Sequence, residues 1–276
     1  MKKEAAVLWI CVILAGCGED EKPKAPAAPA AEKAAPVPAQ ASESPVANKP
    51  APPASASPMG SARIVGTVRF EGRVPALGDI DMTGDPACHA LHQQAVKSQA
   101  LVLGSGNTLG WVLVRVKSGL PANPGFPVPA RLSISQRGCM YQPHVFAVMA
   151  GQEIVFLNEE GQRHNVNAMA ARKNRGFNLT LATSQKESEV KKFTNAELPF
   201  AIKCDVHPWM LGWCAVVEHP FFAVSGVDGR FEIAGLPAGE YEVEAWHEKC
   251  GTRGAHLTLK DGETGTLDFT FSAGPK

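Results

Sequence analysis

The stretch Phe200-Ala-Ile-Lys-Cys-Asp-Val-His-Pro-Trp-Met210 combines a predicted strand with a loop that carries three potential metal ligands. Apolar residues alternate with small or charged ones up to Cys204, which predicts a β-strand whose inward face ends at the cysteine. Residues 213–218, which are apolar up to Val217, predict the strand that leaves the loop. The loop itself carries a thiol, the imidazole of His207 and the thioether of Met210. Three potential metal ligands therefore lie together at one end of a predicted β-sandwich.

His164 is the candidate for a fourth ligand, because it follows the apolar run 154–157, which predicts a neighbouring strand. Two histidines, one cysteine thiolate and a weak axial methionine are the ligands of blue-copper electron-transfer sites. His164, Cys204, His207 and Met210 are therefore predicted to bind one type 1 copper ion. A closed zinc site needs four nitrogen or sulfur ligands, usually with a second Cys/His pair, and a c-type haem needs Cys-x2-Cys-His. Neither pattern is visible in the sequence.

Residues 133–218 resemble the cupredoxins, and within them the amicyanin and plastocyanin group. The similarity rests on the spacing of two residues between Cys204 and His207 and two more before Met210, and on the strands and glycine turn that precede His164. The resemblance implies a Greek-key β-sandwich and the same four ligands. It also implies that the side chain of Asn165 links the two ligand loops by hydrogen bonds. We expect His207 to present the exposed edge through which an electron leaves.

The segments on either side of residues 121–219 predict a second β-sandwich. Residues 224–245 form alternating patterns separated by Asp-Gly and Pro-Ala-Gly turns. They resemble the carboxypeptidase regulatory-like, transthyretin-like β-sandwich. We therefore expect an all-β fold class, in which a cupredoxin domain (121–219) is inserted into a discontinuous carboxypeptidase regulatory-like domain (61–120 and 220–273). A linear order of three pieces is the alternative.

The N-terminus predicts an exported lipoprotein. Residues 1–16 combine a basic start with an apolar run too short to span a membrane, as in a signal peptide. Leu14-Ala-Gly-Cys17 resembles the bacterial lipobox, which implies lipidation of Cys17, although an ordinary cleavage site is the alternative. Gly18 then implies anchoring to the outer membrane, on its periplasmic side or at the cell surface. The Pro- and Ala-rich composition of residues 17–60 predicts a disordered tether.

Four cysteines lie outside the signal peptide, the lipobox and the copper loop: Cys88, Cys139, Cys214 and Cys250. An exported chain meets an oxidising compartment, so two disulfides are expected, with three possible connectivities. We favour Cys88 with Cys139 and Cys214 with Cys250, since each bond would then link the two sandwiches.

Among the other histidines, His247 is a weaker candidate for a second metal position because it lies next to carboxylates, and His144 is another. A lone histidine near a strand end is more often a hydrogen-bonded or surface residue.

The function predicted from these patterns is a membrane-anchored blue copper protein that carries single electrons between periplasmic or surface redox partner proteins. The chain has 27 basic and 27 acidic residues, so no net charge points to nucleic acid. We expect no enzymatic activity, because all four metal positions are filled and no acid, base or activated nucleophile is evident. The alternatives are copper buffering or delivery with the same ligands, and a structural or adhesive surface module with a vestigial metal site.

Overall fold

Apolar and polar residues alternate along many strands, so that one face of each strand is buried and the other is exposed. A computed structural model describes residues 59–122 and 125–273. In Arg230–Leu236, for example, Phe231 and Ile233 are buried while their neighbours Arg230 and Glu232 are exposed. The predicted all-β fold class is confirmed. Within the described ranges, the helical elements are α1 (Pro86–Ala90) and a single 3-10 turn (Ser105–Asn107).

The strands found in these ranges follow one another along the chain as β1 (Ala62–Glu71), β2 (Asp79–Ile80), β3 (Val96–Lys97), β4 (Leu113–Ser118), β5 (Leu132–Arg137), β6 (Met140–Gln142), β7 (Val145–Met149), β8 (Glu153–Asn158), β9 (His164–Ala168), β10 (Phe177–Leu181), β11 (Lys191–Lys192), β12 (Glu197–Lys203), β13 (Leu211–Val217), β14 (Phe222–Val224), β15 (Arg230–Leu236), β16 (Gly239–His247), β17 (Gly251–Leu259), β18 (Thr264–Thr266) and β19 (Phe269–Ser272).

The first sandwich, called here the host sandwich, contains β1, β4 and β14 to β19. One sheet has the order β15-β1-β18, with β19 also paired to β1, and the other has the order β14-β4-β16-β17. β1 runs antiparallel to β15 and parallel to β18 and β19. Apolar side chains of both sheets form one core, including Ile64, Val114 and Val243. The N-terminal and C-terminal segments of the described chain thus share one sheet.

The second sandwich, called the inserted sandwich, is formed by β5 to β13. Its sheets have the orders β10-β9-β12-β13-β7 and β11-β8-β5-β6. β5 pairs in parallel with β8, and β7 pairs in parallel with β13. The chain between such parallel neighbours crosses from one sheet to the other, which gives a Greek-key sandwich.

The two sandwiches pack through an apolar layer. On β13, Cys214 and Val216 face the core of the inserted sandwich, whereas Ala215 and Val217 pack against Leu113 of β4. Every residue of β7 is buried for the same reason, since both faces of this part of the sheet are covered. The described residues accordingly form one compact unit.

The segment between β1 and β4 is more ordered than the sequence suggests. The helix α1 begins at Pro86, because the Asp85 side chain caps it and proline suits the first helical position. β2 and β3 pair with each other and close this segment. An isolated bridge pairs Leu103 with Leu109 ahead of β4.

One of the two predicted disulfide bonds is present. Cys88 and Cys139 form a disulfide bond. The predicted bond between Cys214 and Cys250 is wrong, because both are buried free thiols. Cys214 lies in the core of the inserted sandwich and Cys250 in that of the host sandwich, so their side chains face different interiors.

The predicted signal peptide, the lipidated Cys17 and nearly all of the tether lie outside the described residues. Among the residues that are described, no helix has the length and apolar character needed to cross a membrane.

Glu197 stabilises the connection from β9 to β10. The side chain is only 6% exposed. Its carboxylate accepts hydrogen bonds from four consecutive backbone N–H groups, those of Ala171, Arg172, Lys173 and Asn174, at 2.8–3.2 Å. Burial acts to raise the pKa of Glu197, but the backbone hydrogen bonds outweigh it and lower the pKa to about 2.

We predict that Glu197→Gln lowers the free energy of unfolding by about 1.5–3 kcal/mol at neutral pH, because charge-assisted hydrogen bonds are lost. The folded-state pKa of about 2 lies below the reference value of 4.5. The stabilisation is therefore fully present above pH 4.5 and is lost as the pH falls towards 2. Urea unfolding at several pH values should show the difference between wild type and variant shrinking in that window. Glu189→Gln, at an exposed carboxylate, is the control, and a pH-independent difference for Glu197→Gln would contradict the assignment.

Candidate metal centre

A tight loop between β12 and β13 carries three of the predicted ligands. The Cys204 N–H donates to the carbonyl oxygen of Met210 at 3.1 Å, and the Met210 N–H donates to that of His207 at 2.9 Å. These two bonds close the loop on itself. The side chains of Cys204, His207 and Met210 are all buried. Met210 packs in the same apolar cluster as Cys204.

His164 reaches this loop through strand pairing. It is the first residue of β9, which pairs with the end of β12 through Ala168 and Asn167. The imidazole is fully buried. The N–H of the next residue, Asn165, lies 3.5 Å from Cys204 Sγ. The sheet register thus places a histidine 40 positions away beside the cysteine.

Three donor atoms converge in this buried space. His164 Nδ1 lies 3.1 Å from His207 Nδ1, and Cys204 Sγ lies 3.7 Å from His207 Nδ1. All three atoms lie within 4.8 Å of one another. Thiolate and imidazole ligands suit copper and zinc among the common metal ions.

The other nitrogen of each imidazole faces a carboxylate. His164 Nε2 lies 2.7 Å from Glu160 Oε1, and His207 Nε2 lies 3.1 Å from Asp85 Oδ2. Because a carboxylate accepts hydrogen bonds, each Nε2 carries a proton and each Nδ1 of a neutral ring presents a lone pair. Two lone pairs and a thiolate at these distances repel unless a cation lies among them. The donor set therefore fits a bound metal ion.

The pKa shifts of His164 and Cys204 also favour a positive charge beside the thiolate. Burial acts to lower the pKa of His164, but hydrogen bonds to Cys204 and Glu160 outweigh it and raise the pKa to about 9. Burial acts to raise the pKa of Cys204, but hydrogen bonds from His164 and from the Asn165 N–H outweigh it and lower the pKa. Without a metal ion, a proton on His164 compensates the thiolate. A metal ion would replace that proton.

Asn165 connects the two ligand loops. Its Oδ1 accepts a hydrogen bond from the backbone N–H of Asp205. Its Nδ2 donates to Asp205 Oδ2 at 2.8 Å and to Asn178 Oδ1 at 2.7 Å. The role implied by the family resemblance is thus matched by the contacts of this residue.

Tyr141 is a second connection, which sequence reasoning missed. Its buried hydroxyl lies 2.6 Å from the carbonyl oxygen of Asn165 and 3.1 Å from that of Lys203. Asn165 follows His164 in β9, and Lys203 is the last residue of β12, directly before Cys204. Only the sheet-to-sheet packing brings Tyr141 to them, so no local sequence signal marks it.

The expectation that His207 has an exposed edge is wrong. The side chain is 2% exposed, because the segment from β2 to β3 lies over it. This segment, residues 79–97, is called the cap segment below. Cys88 Sγ lies 3.4 Å from His207 Nε2.

Asp85 and Glu160 were not predicted as site residues. Asp85 lies 122 positions from His207 in the sequence, and no motif links the two.

Trp209 packs between the cap segment and the ligand loop. Its ring centroid lies 5.2 Å from that of His207, and its Nε1–H donates to the carbonyl oxygen of Cys139 at 3.2 Å. Trp209 is half-buried.

The two weaker histidine candidates do not converge with other ligands in the described part of the chain. His144 pairs with Glu248 through Nε2 and lies 3.0 Å from the carbonyl oxygen of Leu211 through Nδ1. His247 is buried, which lowers its pKa to about 4, and its Nδ1 accepts from the N–H of Lys249. The other convergent groups around the site use Cys88 or Cys139, whose sulfurs are bonded to each other.

Comparison with known proteins gives matches among solved structures alone. No protein-family profile matches the chain. No curated protein matches it. A Cu-containing nitrite reductase (NirK) from Thermus scotoductus SA-01 is similar at 20% identity over 37% of this chain and 25% of the reductase, with a TM-score of 0.30. Two mutants of amicyanin in the Cu(I) form are similar at 18% and 19% identity over 38% of this chain and 98% of amicyanin, each with a TM-score of 0.29.

We predict that Asn165→Ala destabilises the protein by about 1–3 kcal/mol, because the Asp205 N–H and the partner side chains lose buried hydrogen bonds. Urea unfolding of the metal-free protein measures this loss. Asn167→Ala is the matched control, since Asn167 contacts Asp205 at 3.1–3.3 Å but does not bond to the loop backbone. Equal effects of the two substitutions would argue against a link through Asn165.

Proposed function

We propose that this chain is a blue copper protein that carries single electrons between redox partner proteins. The observation that supports this proposal best is the buried convergence of Cys204 Sγ with the Nδ1 atoms of His164 and His207. Met210, from the same loop, would be the fourth and weakest ligand. The site takes one copper ion in this proposal.

Copper is preferred to zinc because of the donor set. Structural zinc sites are closed by four strong nitrogen or sulfur ligands. The loop that carries Cys204 and His207 also offers the thioether of Met210, and a thioether with two imidazoles and one thiolate is the ligand set of type 1 copper. Copper would supply a one-electron couple between Cu(I) and Cu(II).

The residues of this chain would keep the site nearly unchanged when the charge changes. The loop is closed by the Cys204 and Met210 backbone hydrogen bonds, and Asn165 ties it to β9. Glu160 and Asp85 hold the rings of His164 and His207. Buried side chains surround the ligands and exclude water, so little has to rearrange during electron transfer.

The proposal does not include catalysis. In this proposal all four ligands come from the protein, which would leave no position for a substrate on the metal. The burial of His207 and Met210 also favours a permanently bound ion over the exchangeable ion that copper buffering or delivery would need.

The proposed location follows from the N-terminal sequence. Cys17 in the lipobox-like stretch would be lipidated, and the tether up to residue 60 would hold the folded part near the outer membrane. The host sandwich resembles carboxypeptidase regulatory-like domains in sequence pattern, and its proposed role is to support the copper domain. The redox partner is a protein met in the periplasm or at the cell surface.

We predict that the purified soluble part of the chain turns intensely blue with one equivalent of Cu(II), through charge transfer from the Cys204 thiolate. One electron per copper should bleach the colour, and reoxidation should restore it with the metal retained. Cys204→Ser should abolish the band, whereas Cys250→Ser, which removes a buried thiol of the host sandwich, should leave it unchanged. A colourless Cu(II) complex of the wild type would overturn the proposal.

A further inference from the structure

We propose that Asp85 and Glu160 are positioning residues for the two imidazoles and that the Cys88–Cys139 disulfide is the common anchor of both carboxylates. This inference deepens the proposed function, on which its copper measurements rest. Its first test uses the metal-free protein and is independent of copper.

The two carboxylate oxygens of Asp85 contact different groups. Oδ1 accepts hydrogen bonds from the N–H groups of Ala87 and Cys88 at 3.0 and 3.1 Å and thereby caps α1. Oδ2 faces His207 Nε2 at 3.1 Å. The capping bonds fix the carboxylate, so its second oxygen points at the imidazole without further support.

Glu160 has the same arrangement on the other side. Its two oxygens lie 2.8 and 3.1 Å from the backbone nitrogen of Cys139, which donates to them. Oε1 also faces His164 Nε2 at 2.7 Å. The Glu160 side chain is 7% exposed, so this carboxylate is screened little by water.

The disulfide joins these two arrangements. Cys88 donates its N–H to Asp85, and Cys139 donates its N–H to Glu160. Both cysteines are fully buried. Cys139 has φ +50°, a left-handed conformation that residues other than glycine seldom adopt. The covalent bond and Glu160 together hold this unusual residue, and the bond fastens the cap segment to the inserted sandwich.

The carboxylates determine which nitrogen of each ring is free for a metal. A carboxylate opposite Nε2 selects the Nε2–H form of a neutral imidazole and leaves the Nδ1 lone pair facing Cys204. Two negative charges next to the ligands also favour the more positive metal state. The cap segment thus contributes to the metal centre although it supplies no ligand.

We predict that Asp85→Asn changes the favoured tautomer of His207 in the metal-free protein. Asparagine can still cap α1 with its oxygen, so its NH₂ group would face Nε2 and require that nitrogen to accept. Imidazole nitrogen chemical shifts, measured by long-range proton–nitrogen correlation, should show His207 as Nε2–H in the wild type and with reduced Nε2–H character in the variant. Asp81→Asn is the control, since Asp81 bonds to Thr83 and touches no ligand. An unchanged His207 signal in Asp85→Asn would overturn the inference.

Glu160→Gln separates charge from hydrogen bonding. The glutamine oxygen can still accept from the Cys139 N–H and from His164 Nε2–H, so the orientation of the His164 ring should persist while the negative charge is lost. In the copper-loaded protein, Glu160→Gln and Asp85→Asn should both raise the midpoint potential, and Asp81→Asn should not. Unshifted potentials in both variants, with the blue band intact, would refute the electrostatic part. A wild type without the band would refute the proposed function and leave the tautomer result standing.

The disulfide is tested by the double variant Cys88→Ala/Cys139→Ala. We expect His207 to lose its single Nε2–H form, because the cap segment that carries Asp85 is no longer fastened to Cys139, whereas Cys250→Ala should leave the His207 signals unchanged. Dispersed amide signals establish that the double variant is folded. Unchanged His207 signals in the folded double variant, or in the wild type after reduction of the disulfide if the double variant does not fold, would remove the disulfide from the proposal.

Discussion

The mutual repulsion of a thiolate and two imidazole lone pairs is the constraint on which the candidate metal centre depends. Cys204 Sγ and the Nδ1 atoms of His164 and His207 lie within 4.8 Å of one another in a space closed to water. Such an arrangement is stable only with a cation among the atoms, either a proton or a metal ion. Repulsion and chain entropy both act to separate these three atoms. They are held together by the hydrogen bonds within the loop, by Asn165 and by the two carboxylates.

The host sandwich supports the same site from the opposite direction. Its Glu248 forms a buried pair with His144, and His144 Nδ1 lies 3.0 Å from the carbonyl oxygen of Leu211. Leu211 follows Met210 directly, so the end of the ligand loop is held by a chain of contacts that begins in the other sandwich. Removing one partner of such a buried pair leaves an uncompensated polar group, which makes the contact costly to lose. The apolar layer between the sandwiches keeps these groups in register.

Sequence reasoning identified the residues whose relation is local or follows from strand register. Cys204, His207 and Met210 share one loop, and His164 follows from the strand ahead of it. The wrong prediction of a Cys214–Cys250 disulfide could have been corrected from the strand pattern. Cys214 lies two residues from Val216 and therefore on the same face of β13, which is the face buried in the inserted sandwich. Asp85 and Tyr141 were not accessible in this way, since they meet the site through packing between distant segments. The burial of His207 depends on the same long-range packing.

The cap segment changes which part of the ligand loop a partner could touch. With His207 sealed beneath Asp85 and Cys88, direct contact with its ring edge requires the cap segment to move. The disulfide opposes that movement, because it fastens the segment at the point of contact. The loop reaches the surface at Asp205, Val206 and Pro208, which are exposed, and partly at Trp209, whose ring lies beside that of His207. If the proposed electron transfer occurs with the cap segment in place, the electron must therefore pass through these neighbours of His207 instead of its own edge.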